Sequence, residues 1–600
     1  MMDDRKKGIN GTFRRVWTAI SGALRGMGLA AAVSGCLTVA RAADLPPQDQ
    51  AGFVAAMEEA FAAPAGSGGS TAAVHRVAIV NDGYDALLLR VHLIRRARRT
   101  IDIQTFIWTN DECGRLMICE LLEAARRGVR VRILADQLVS EKDPATMAFL
   151  ATAHPNLEVR HYRPAASRIN PSRVHTILSG IWSLKGVNQR MHNKTMIFDG
   201  VALITGGRNI ENTYYNHSTE MNFKDRDVLV VGPVVSEAAA SFEEFWAYRW
   251  SIASRDLVDV RALIEKGGFR RYDRRADYDF GPFFKTLDAE ESSASELERR
   301  FGRRLHGVER VRFIADRPGK NRSFWLKGHG QSTRELTDIL ASATNTVLMQ
   351  TPYLVLSGKA FTLFERMKRR VPQLRIAASS NSFGATDNVL AYSANYRLRT
   401  KYVEGLGMEV YEYMPRPGAF ETVLPQHGEL ARLADARIAA GRQARRPFLC
   451  IHAKSLVVDD RIAFIGSFNL DPRSENLNTE VGLLIEDAAV AAELKAEILN
   501  DMGGRNSWVI GRRAIPLHLD KANALVDELS GLLPIDLWPL QNTASYEWMP
   551  GHPEVRPGDP DFHRHYREAG DFPGADGPLS RKEIITRIYK AVTPVLAPLL

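Results

Sequence analysis

Hydrophobic and polar positions divide the first half of the chain into alternating helices and strands. A helical spacing of apolar residues over 85–99 is followed by a strand over 101–108. An amphipathic helix over 113–127 stops at Gly128, and the next strand covers 129–134. Strands that alternate with helices in this way predict an α/β fold in which helices flank a sheet.

The second half of the chain repeats this order of elements. A helix is predicted over 333–343 and a strand over 347–353, followed by a helix over 361–370 and a strand over 374–378. The matching order indicates that a whole α/β unit is duplicated within the chain, which a local coincidence would not produce.

Composition and periodicity together predict six segments. The stretch before the first half is rich in Pro, Gly, Ser and Ala, and the stretch between the halves is highly charged with weak periodicity. The segments are a targeting segment (1–43), a flexible tether (44–75), the first half (76–257), a charged linker with surface helices (258–306), the second half (307–510) and a C-terminal extension (511–600).

The N-terminus has the features of an export signal. A basic region at 5–15 precedes a short apolar run at 26–33. The run Val33-Ser34-Gly35-Cys36 matches a bacterial lipoprotein box, in which Cys36 would carry the lipid. Residues 40–42 form an A-x-A site for ordinary signal peptidase, and an uncleaved anchor or an incorrect start is the third alternative. We predict an exported, membrane-associated protein of the bacterial cell envelope, facing the periplasm as a lipoprotein.

The net charge of the chain is +9, so the protein should prefer anionic partners. Phospholipid headgroups, anionic membrane surfaces and nucleic acid all fit this preference, and composition alone does not choose among them. The chain has only four cysteines, and their spacing does not indicate zinc.

One motif occurs twice at identical internal spacing. Both copies fit His-x-Lys-x4-Asp-x6-Gly-[Gly/Ser]-x-Asn, and a glutamate follows each asparagine by 11 residues. The first copy consists of His192, Lys194, Asp199, Gly206, Gly207, Asn209 and Glu220. The second copy consists of His452, Lys454, Asp459, Gly466, Ser467, Asn469 and Glu480. We predict that folding brings the two copies face to face around one site.

Strand geometry assigns different roles to the members of the motif. Residues i and i+2 of a strand point to one face, so His192 and Lys194 project together, as do their counterparts in the second copy. Asp199 and Asp459 occupy turn positions between two β-rich runs, which places each at the tip of a hairpin. Because these aspartates do not share the histidine face, we predict a structural, charge-balancing role for them within the catalytic motif.

The residue types of the motif suit a phosphodiester, whereas a histidine beside a lysine is poorly suited to a metal cation. Lysine supplies a positive charge, Asn209 and Asn469 supply amide donors, and imidazole is a nucleophile or proton donor near neutral pH. One histidine can attack phosphorus while the other protonates the leaving alcohol, and water or a second alcohol then attacks the phosphohistidine. We therefore predict no metal and no cofactor.

A carboxylate can hold each histidine through its other ring nitrogen and thereby fix its tautomer and orientation. For His452 the candidate is Glu480. For His192 the spacing nominates Glu220, whereas the match between the following strands nominates Asp227, and the sequence leaves both possibilities open.

The paired motifs resemble those of the phospholipase D superfamily, and the chain from about residue 80 to 510 is similar to its cardiolipin synthase-like bacterial members. The resemblance implies two duplicated α/β/α sandwich halves related by a pseudo-two-fold axis, a metal-independent phosphodiester exchange and a covalent phosphohistidine. It favours His192 as the nucleophile and His452 as the general acid and base. Gly207 stands where the second copy has Ser467, so one hydroxyl contact is absent there. Supporting stretches are Ile101-Asp102-Ile103-Gln104-Thr105, Gly128-Val129-Arg130-Val131-Arg132, Asp225-Arg226-Asp227, Thr386-Asp387-Asn388 and Gly466-Ser467-Phe468-Asn469-Leu470-Asp471.

The motifs do not determine the substrate, because lipids and nucleic acids both contain phosphodiesters. The export signal, the apolar residues at 177–182 and the resemblance to lipid enzymes favour lipid, and Arg190 on the predicted His192 face would attract anionic lipid. We expect cardiolipin synthase-type transfer of a phosphatidyl group to phosphatidylglycerol. A phospholipase D hydrolase, a secreted nuclease and an inactive lipid-binding lipoprotein are the alternatives. The predicted partners are phospholipids and an anionic membrane surface, and no nucleic acid is expected. We expect the active site to form within one chain.

Overall fold

The structure is a computed structural model, and it describes eight stretches of the chain. These are residues 52–62, 74–138, 140–171, 188–278, 280–320, 330–442, 444–513 and 542–574. Cys36, the remainder of the targeting segment and the apolar residues at 177–182 lie outside the described residues. No helix within the described stretches is both long enough and apolar enough to cross a membrane.

The first half is built on a mixed sheet of nine strands. Their order is β10-β1-β8-β6-β5-β2-β3-β4-β9, with β2, β3 and β4 parallel and β2 antiparallel to β5. The strands of this half are β1 His75–Val80, β2 Thr100–Thr105, β3 Arg130–Asp136, β4 Leu157–Tyr162, β5 Thr195–Phe198, β6 Ala202–Gly206, β7 Met221–Lys224, β8 Asp227–Val231, β9 Ser251–Ala253 and β10 His306–Val308.

The second half repeats this arrangement in a sheet of ten strands. Their order is β11-β18-β17-β16-β12-β13-β14-β19-β20-β21, and β12–β13–β14 is the parallel part that corresponds to β2–β3–β4. The strands are β11 Val311–Ala315, β12 Thr346–Gln350, β13 Arg375–Asn381, β14 Glu409–Tyr413, β15 Phe448–Ile451, β16 Ser455–Val458, β17 Ile462–Gly466, β18 Val481–Glu486, β19 Ser507–Arg512, β20 Thr543–Trp548 and β21 Tyr566–Gly570.

Helices cover both sheets, so the predicted α/β fold with duplicated halves is confirmed. They are α1 Phe53–Ala62, α2 Gly83–Arg96, α3 Glu112–Arg126, α4 Pro144–Ala153, α5 Val235–Trp246, α6 Val258–Lys266, α7 Pro282–Glu291, α8 Ala294–Phe301, α9 Gln331–Ser342, α10 Gly358–Arg370, α11 Val389–Thr400, α12 Phe420–Val423, α13 His427–Ala439, α14 Pro472–Asn476, α15 Ala488–Met502 and α16 Phe562–His565.

The two sheets share one inner core. Ile197 and Leu203 of the first sheet and Val457 and Ile465 of the second belong to a single cluster of buried side chains, together with residues of α5 and α15. Burial of apolar surface contributes about 25 cal/mol per Å², so this shared core holds the halves firmly together. The hairpins β5–β6 and β16–β17, which follow the two histidine motifs, both lie in this interface.

Three segments outside the predicted halves are packed into the core of the first half or added to the sheet of the second. Helix α1 falls within the predicted flexible tether, but Phe53 is fully buried and its ring lies 5.0 Å from that of Phe301 in α8. Residues 53–62 of this segment therefore form a helix that packs against the first half. Leu287 of α7 is also buried in the first core, and β20 and β21 of the C-terminal extension widen the second sheet.

Asp199 and Asp459 stand at equivalent hairpin tips. Both have positive φ angles of 51°, a backbone conformation that Asp and Asn tolerate better than most residues. The carboxylate of Asp199 accepts hydrogen bonds from three consecutive backbone N–H groups, those of residues 98, 99 and 100. The carboxylate of Asp459 accepts from those of residues 344, 345 and 346. Each aspartate thus fastens its hairpin to the start of the neighbouring strand.

We predict that Asp199→Ala lowers the free energy of unfolding by about 3 kcal/mol, since backbone donors lose a charged acceptor. Asp199→Asn is the matched control, because it keeps one acceptor oxygen and the tolerance of positive φ, and it should cost less. Urea denaturation measures the free energy of unfolding of both variants, and the slope of that free energy against urea concentration should not change. Equal stability of the alanine variant and the native protein would contradict this role.

Candidate active site

The two halves are joined next to each histidine by short parallel strand pairings. Strand β15 pairs with β7 so that Ile451 lies opposite Lys224, and the backbone N–H of His452 donates to the carbonyl of Lys224 over 2.9 Å. In the first copy an isolated parallel bridge joins Met191 to Thr479. The N–H of the following residue, His192, donates to the carbonyl of Thr479 over 3.0 Å, as His452 does in the other copy.

These pairings exchange carboxylates between the halves. Nδ1 of His192 lies 2.9 Å from Oε2 of Glu480, which follows Thr479 in the second half. Nδ1 of His452 lies 2.6 Å from Oδ2 of Asp225, which follows Lys224 in the first half. All four side chains are buried. Each imidazole is therefore held by an acid from the opposite half.

The predicted carboxylate partners need three corrections. Glu480 holds His192 and not His452. Glu220 contributes its backbone carbonyl to the start of β15, and no described contact joins its side chain to a histidine. Asp227 instead binds the guanidinium groups of two arginines, at 2.8 and 3.3 Å.

Unequal spacing in the two halves explains why sequence reasoning missed Asp225. Asp225 follows Asn209 by 16 residues, whereas Glu480 follows Asn469 by 11. The first half has a 3₁₀ turn, Asn212–Tyr214, and strand β7 between these two residues, whereas the second half has helix α14. Strand register is the reliable guide: Gly206 pairs with Asp227 and Gly466 with Gly482, so Asp225 and Glu480 are equivalent. In the sequence, Asp225 is part of the Asp225-Arg226-Asp227 stretch that supports the family resemblance, and this was the available indication of its role.

Burial and the exchanged acids determine the protonation of the imidazoles. Burial lowers the pKa of His192 to about 4, more than Glu480 raises it. Although burial opposes it, the interaction with His192 lowers the pKa of Glu480, and the interaction with His452 holds that of Asp225 well below its usual range. Burial also lowers the pKa of His452. Each ionised acid therefore accepts Nδ1–H of a neutral imidazole, which leaves the Nε2 lone pair of His192 available for attack.

The two motif lysines approach each other across the site. Nζ of Lys194 donates to the carbonyl of His192 over 2.9 Å, and Nζ of Lys454 lies 3.0 Å from Nε2 of His452. Burial and the charge of Lys454 lower the pKa of Lys194 to about 7, and burial lowers that of Lys454 to about 8. The charges of Asp225 and Glu480 oppose this lowering in part, and the two lysines together are a suitable environment for a phosphodiester anion.

The motif asparagines are not equivalent. Oδ1 of Asn209 accepts from the backbone N–H of Ile107 over 3.1 Å, and its Nδ2 donates to the hydroxyl of Tyr214 over 2.7 Å. Both ends of this amide are thus used in positioning, and the ring of Tyr214 lies 5.2 Å from that of His452. Asn469 is also buried, but its Oδ1 has no hydrogen-bond partner among the described residues.

Ser467 and Gly207 occupy equivalent positions in the two copies, and each residue type suits the acid that lies beside it. The hydroxyl of Ser467 donates to Oε2 of Glu480 over 2.5 Å and accepts from the backbone N–H of Val481 over 3.0 Å. A Cβ at Gly207 would lie 2.0 Å from Oδ1 of Asp225. Glycine is required in the first copy because the shorter acid occupies the space that a serine side chain would need.

Arg190 does not have the role that strand parity suggested. Its guanidinium is buried and binds Asp136, with Nη2 to Oδ1 at 2.7 Å, and Asp136 also accepts from the backbone N–H of Met191. Parity misleads here because Met191 forms only an isolated bridge, and the described residues 188–191 form no regular strand before His192. Across the described stretches, no group of three or more His, Cys, Asp and Glu side chains is arranged to hold a metal ion.

Comparison with known proteins identifies the family. The family described as "Cardiolipin synthase, PLD-like domain" matches residues 91–246 and 336–502, which include both histidine motifs. Cardiolipin synthase C of Escherichia coli strain K12 is 29% identical over 490 residues, or 75% of this chain and 93% of that protein. An uncharacterised protein of Helicobacter pylori strain J99 is 30% identical over 466 residues, or 76% of this chain and 85% of that protein.

Among solved structures, the phosphatidylserine synthase of Haemophilus influenzae aligns with a TM-score of 0.44 and 14% identity, over 71% of this chain and 86% of that one. The family assignment rests on the sequence matches, which extend across both halves. The chain belongs to the phospholipase D superfamily, in its cardiolipin synthase-like branch, and is an enzyme of the phosphatidyltransferase and phosphodiesterase type.

Proposed function

We propose that this enzyme transfers the phosphatidyl group of one phospholipid to the glycerol headgroup of phosphatidylglycerol and so forms cardiolipin. The observation that carries the proposal is the exchange of carboxylates, which orients two neutral imidazoles within one buried site of a single chain. The name of the Escherichia coli relative, Cardiolipin synthase C, supports the lipid substrate. Exclusion of water from the buried site favours an alcohol acceptor over hydrolysis.

In the first step, Nε2 of His192 attacks phosphorus and forms an N–P bond while the P–O bond to the departing headgroup breaks. Glu480 keeps the proton of His192 on Nδ1, so the attacking nitrogen carries a lone pair. His452 gives its Nε2 proton to the leaving alkoxide. Binding of the phosphodiester anion raises the pKa of His452, which supplies the protonated form that this step needs.

In the second step, a hydroxyl of the acceptor lipid attacks the phosphohistidine. His452, neutral after the first transfer, takes the proton of that hydroxyl, and the N–P bond to His192 breaks. Both imidazoles then return to their starting states. Throughout both steps, Lys194 and Lys454 stabilise the charge on the phosphoryl oxygens, and losing one such donor typically lowers kcat about 10²–10³-fold.

Incubation of purified protein with labelled phosphatidylglycerol, with and without phosphatidylethanolamine, tests the proposal. In the presence of a metal chelator, we expect labelled cardiolipin as the main product, because the proposed chemistry uses only side chains of the protein. Phosphatidic acid alone would identify a hydrolase instead, and absence of turnover would indicate a lipid-binding protein. Cleavage of DNA without lipid turnover under the same conditions would identify a nuclease.

The roles of the two histidines can be separated with a phosphatidyl donor whose leaving group is p-nitrophenol. Nitrophenolate leaves without a proton, so attack by His192 does not require His452. We predict that His452→Ala releases about one equivalent of nitrophenolate and accumulates a phosphatidyl adduct, detected by intact-protein mass spectrometry. His192→Ala should give neither signal. An adduct that accumulates only in His192→Ala would reverse the assignment.

The same burst measurement tests the exchanged carboxylates. Glu480→Gln should slow the nitrophenolate burst by about 10²-fold or more, because His192 loses the acid that fixes its tautomer. Asp225→Asn should leave the burst nearly unchanged and slow breakdown of the adduct, which depends on His452. The opposite pattern, with Asp225→Asn slowing the burst and Glu480→Gln only the breakdown, would contradict the pairing of acids and histidines.

A further inference from the structure

A third carboxylate, that of Asp387, lies on the His452 side of the site and has no role in the proposed mechanism. Asp387 is exposed in the loop between β13 and α11. Its Oδ2 accepts a hydrogen bond from the hydroxyl of Tyr353 over 2.8 Å, and the thiol of Cys450 lies 3.7 Å from its Oδ1. Asp387 therefore stands at the opening of the site, between groups that belong to its wall.

The contact with Cys450 places Asp387 on the same face as the imidazole. Cys450 and His452 are two residues apart, and the pairing of β15 with β7 continues through the N–H of His452, so both side chains project to one side. The loop is fixed in this position by Asn381, whose amide exchanges two hydrogen bonds with the backbone of Ile451, at 2.7 and 2.8 Å.

The surroundings of Asp387 define what it can bind. A carboxylate repels the phosphodiester, and Asp225 and Glu480 already hold the two imidazoles, so Asp387 is not needed for either purpose. Its charge opposes the lowering of the pKa of Lys454 that burial causes. A cationic headgroup amine would be repelled by Lys454, whereas a neutral hydroxyl would not. A hydroxyl donor is the ligand that fits.

We propose that Asp387 and Tyr353 form the subsite for the acceptor alcohol and recognise a vicinal diol, the arrangement found in a glycerol headgroup. This inference rests on the proposed function, in which the acceptor enters on the side of His452. Tyr353 donates its proton to Oδ2 of Asp387 and the thiol of Cys450 donates weakly to Oδ1, so the tyrosine oxygen and the remaining lone pairs of the carboxylate are available as acceptors. The hydroxyl adjacent to the attacking one binds there, and the attacking hydroxyl is directed toward His452.

A competition between two free alcohols tests this subsite. The enzyme is loaded from the p-nitrophenol donor, and glycerol competes with propane-1,3-diol, which has the same primary hydroxyl but lacks the vicinal one. We expect the native enzyme to prefer glycerol about tenfold, as a hydrogen bond to a charged group allows. Asp387→Asn should abolish most of this preference, which is the ratio of two products formed from one adduct and so does not depend on how fast the enzyme is loaded.

Three variants serve as comparisons. Asp387→Glu keeps the carboxylate and should retain part of the preference for glycerol. Tyr353→Phe removes one acceptor and should reduce the preference by less than Asp387→Asn does. Glu59→Gln removes one negative charge from the exposed surface of α1, where the side chain is 75% exposed, and should change neither the burst nor the preference.

The outcomes separate this inference from the proposed function. Absence of any nitrophenolate release by the native enzyme would overturn the proposed function. A normal burst with equal use of glycerol and propane-1,3-diol by the native enzyme would overturn the vicinal-diol subsite, whatever the variants do. A preference that persists undiminished in Asp387→Asn would overturn the role of Asp387 and leave the histidine chemistry intact.

Discussion

The strand pairing between β7 and β15, with its counterpart at Met191 and Thr479, is the interaction on which the site depends. Each pairing delivers the acid of one half to the histidine of the other. A half on its own would expose the shared inner core to water and would leave each histidine without the carboxylate that orients it. Both halves are therefore required to form the site.

Burial determines the protonation states of the histidines and lysines in this arrangement. Because the imidazoles are desolvated, they are neutral near pH 7, and because the acids are ionised, the remaining proton of each imidazole is fixed on Nδ1. The same burial makes the two lysines less stable as cations than they would be in water. A phosphodiester that enters the site adds a negative charge beside the two lysines and so favours their protonated forms.

The two halves are related by duplication, but their differences allow the histidines to take different roles. Helices α1, α7 and α8 cover the first half, and β20 and β21 extend the second. Phe106 packs edge-on against His192, whereas the rings of Tyr214 and Phe223 lie against His452. The described contacts place Asp387 beside the His452 side of the site. One pseudo-symmetric site thus has two chemically distinct sides.

Local patterns in the sequence were sufficient to predict the α/β class, the duplication and the motif residues, because strand and helix periodicities and equal motif spacing are local properties of the chain. It indicated that Asp199 and Asp459 stand at hairpin tips, where turn chemistry is also local. It did not determine which acid meets which histidine, because the partners are 288 and 227 residues apart and belong to opposite halves. Equal spacing after the motif asparagine nominated Glu220 as the acid of the first half that is equivalent to Glu480. The register between strands selects Asp225 as that acid. Only the tertiary structure could decide this, since strand pairing across the interface depends on how the two sheets pack.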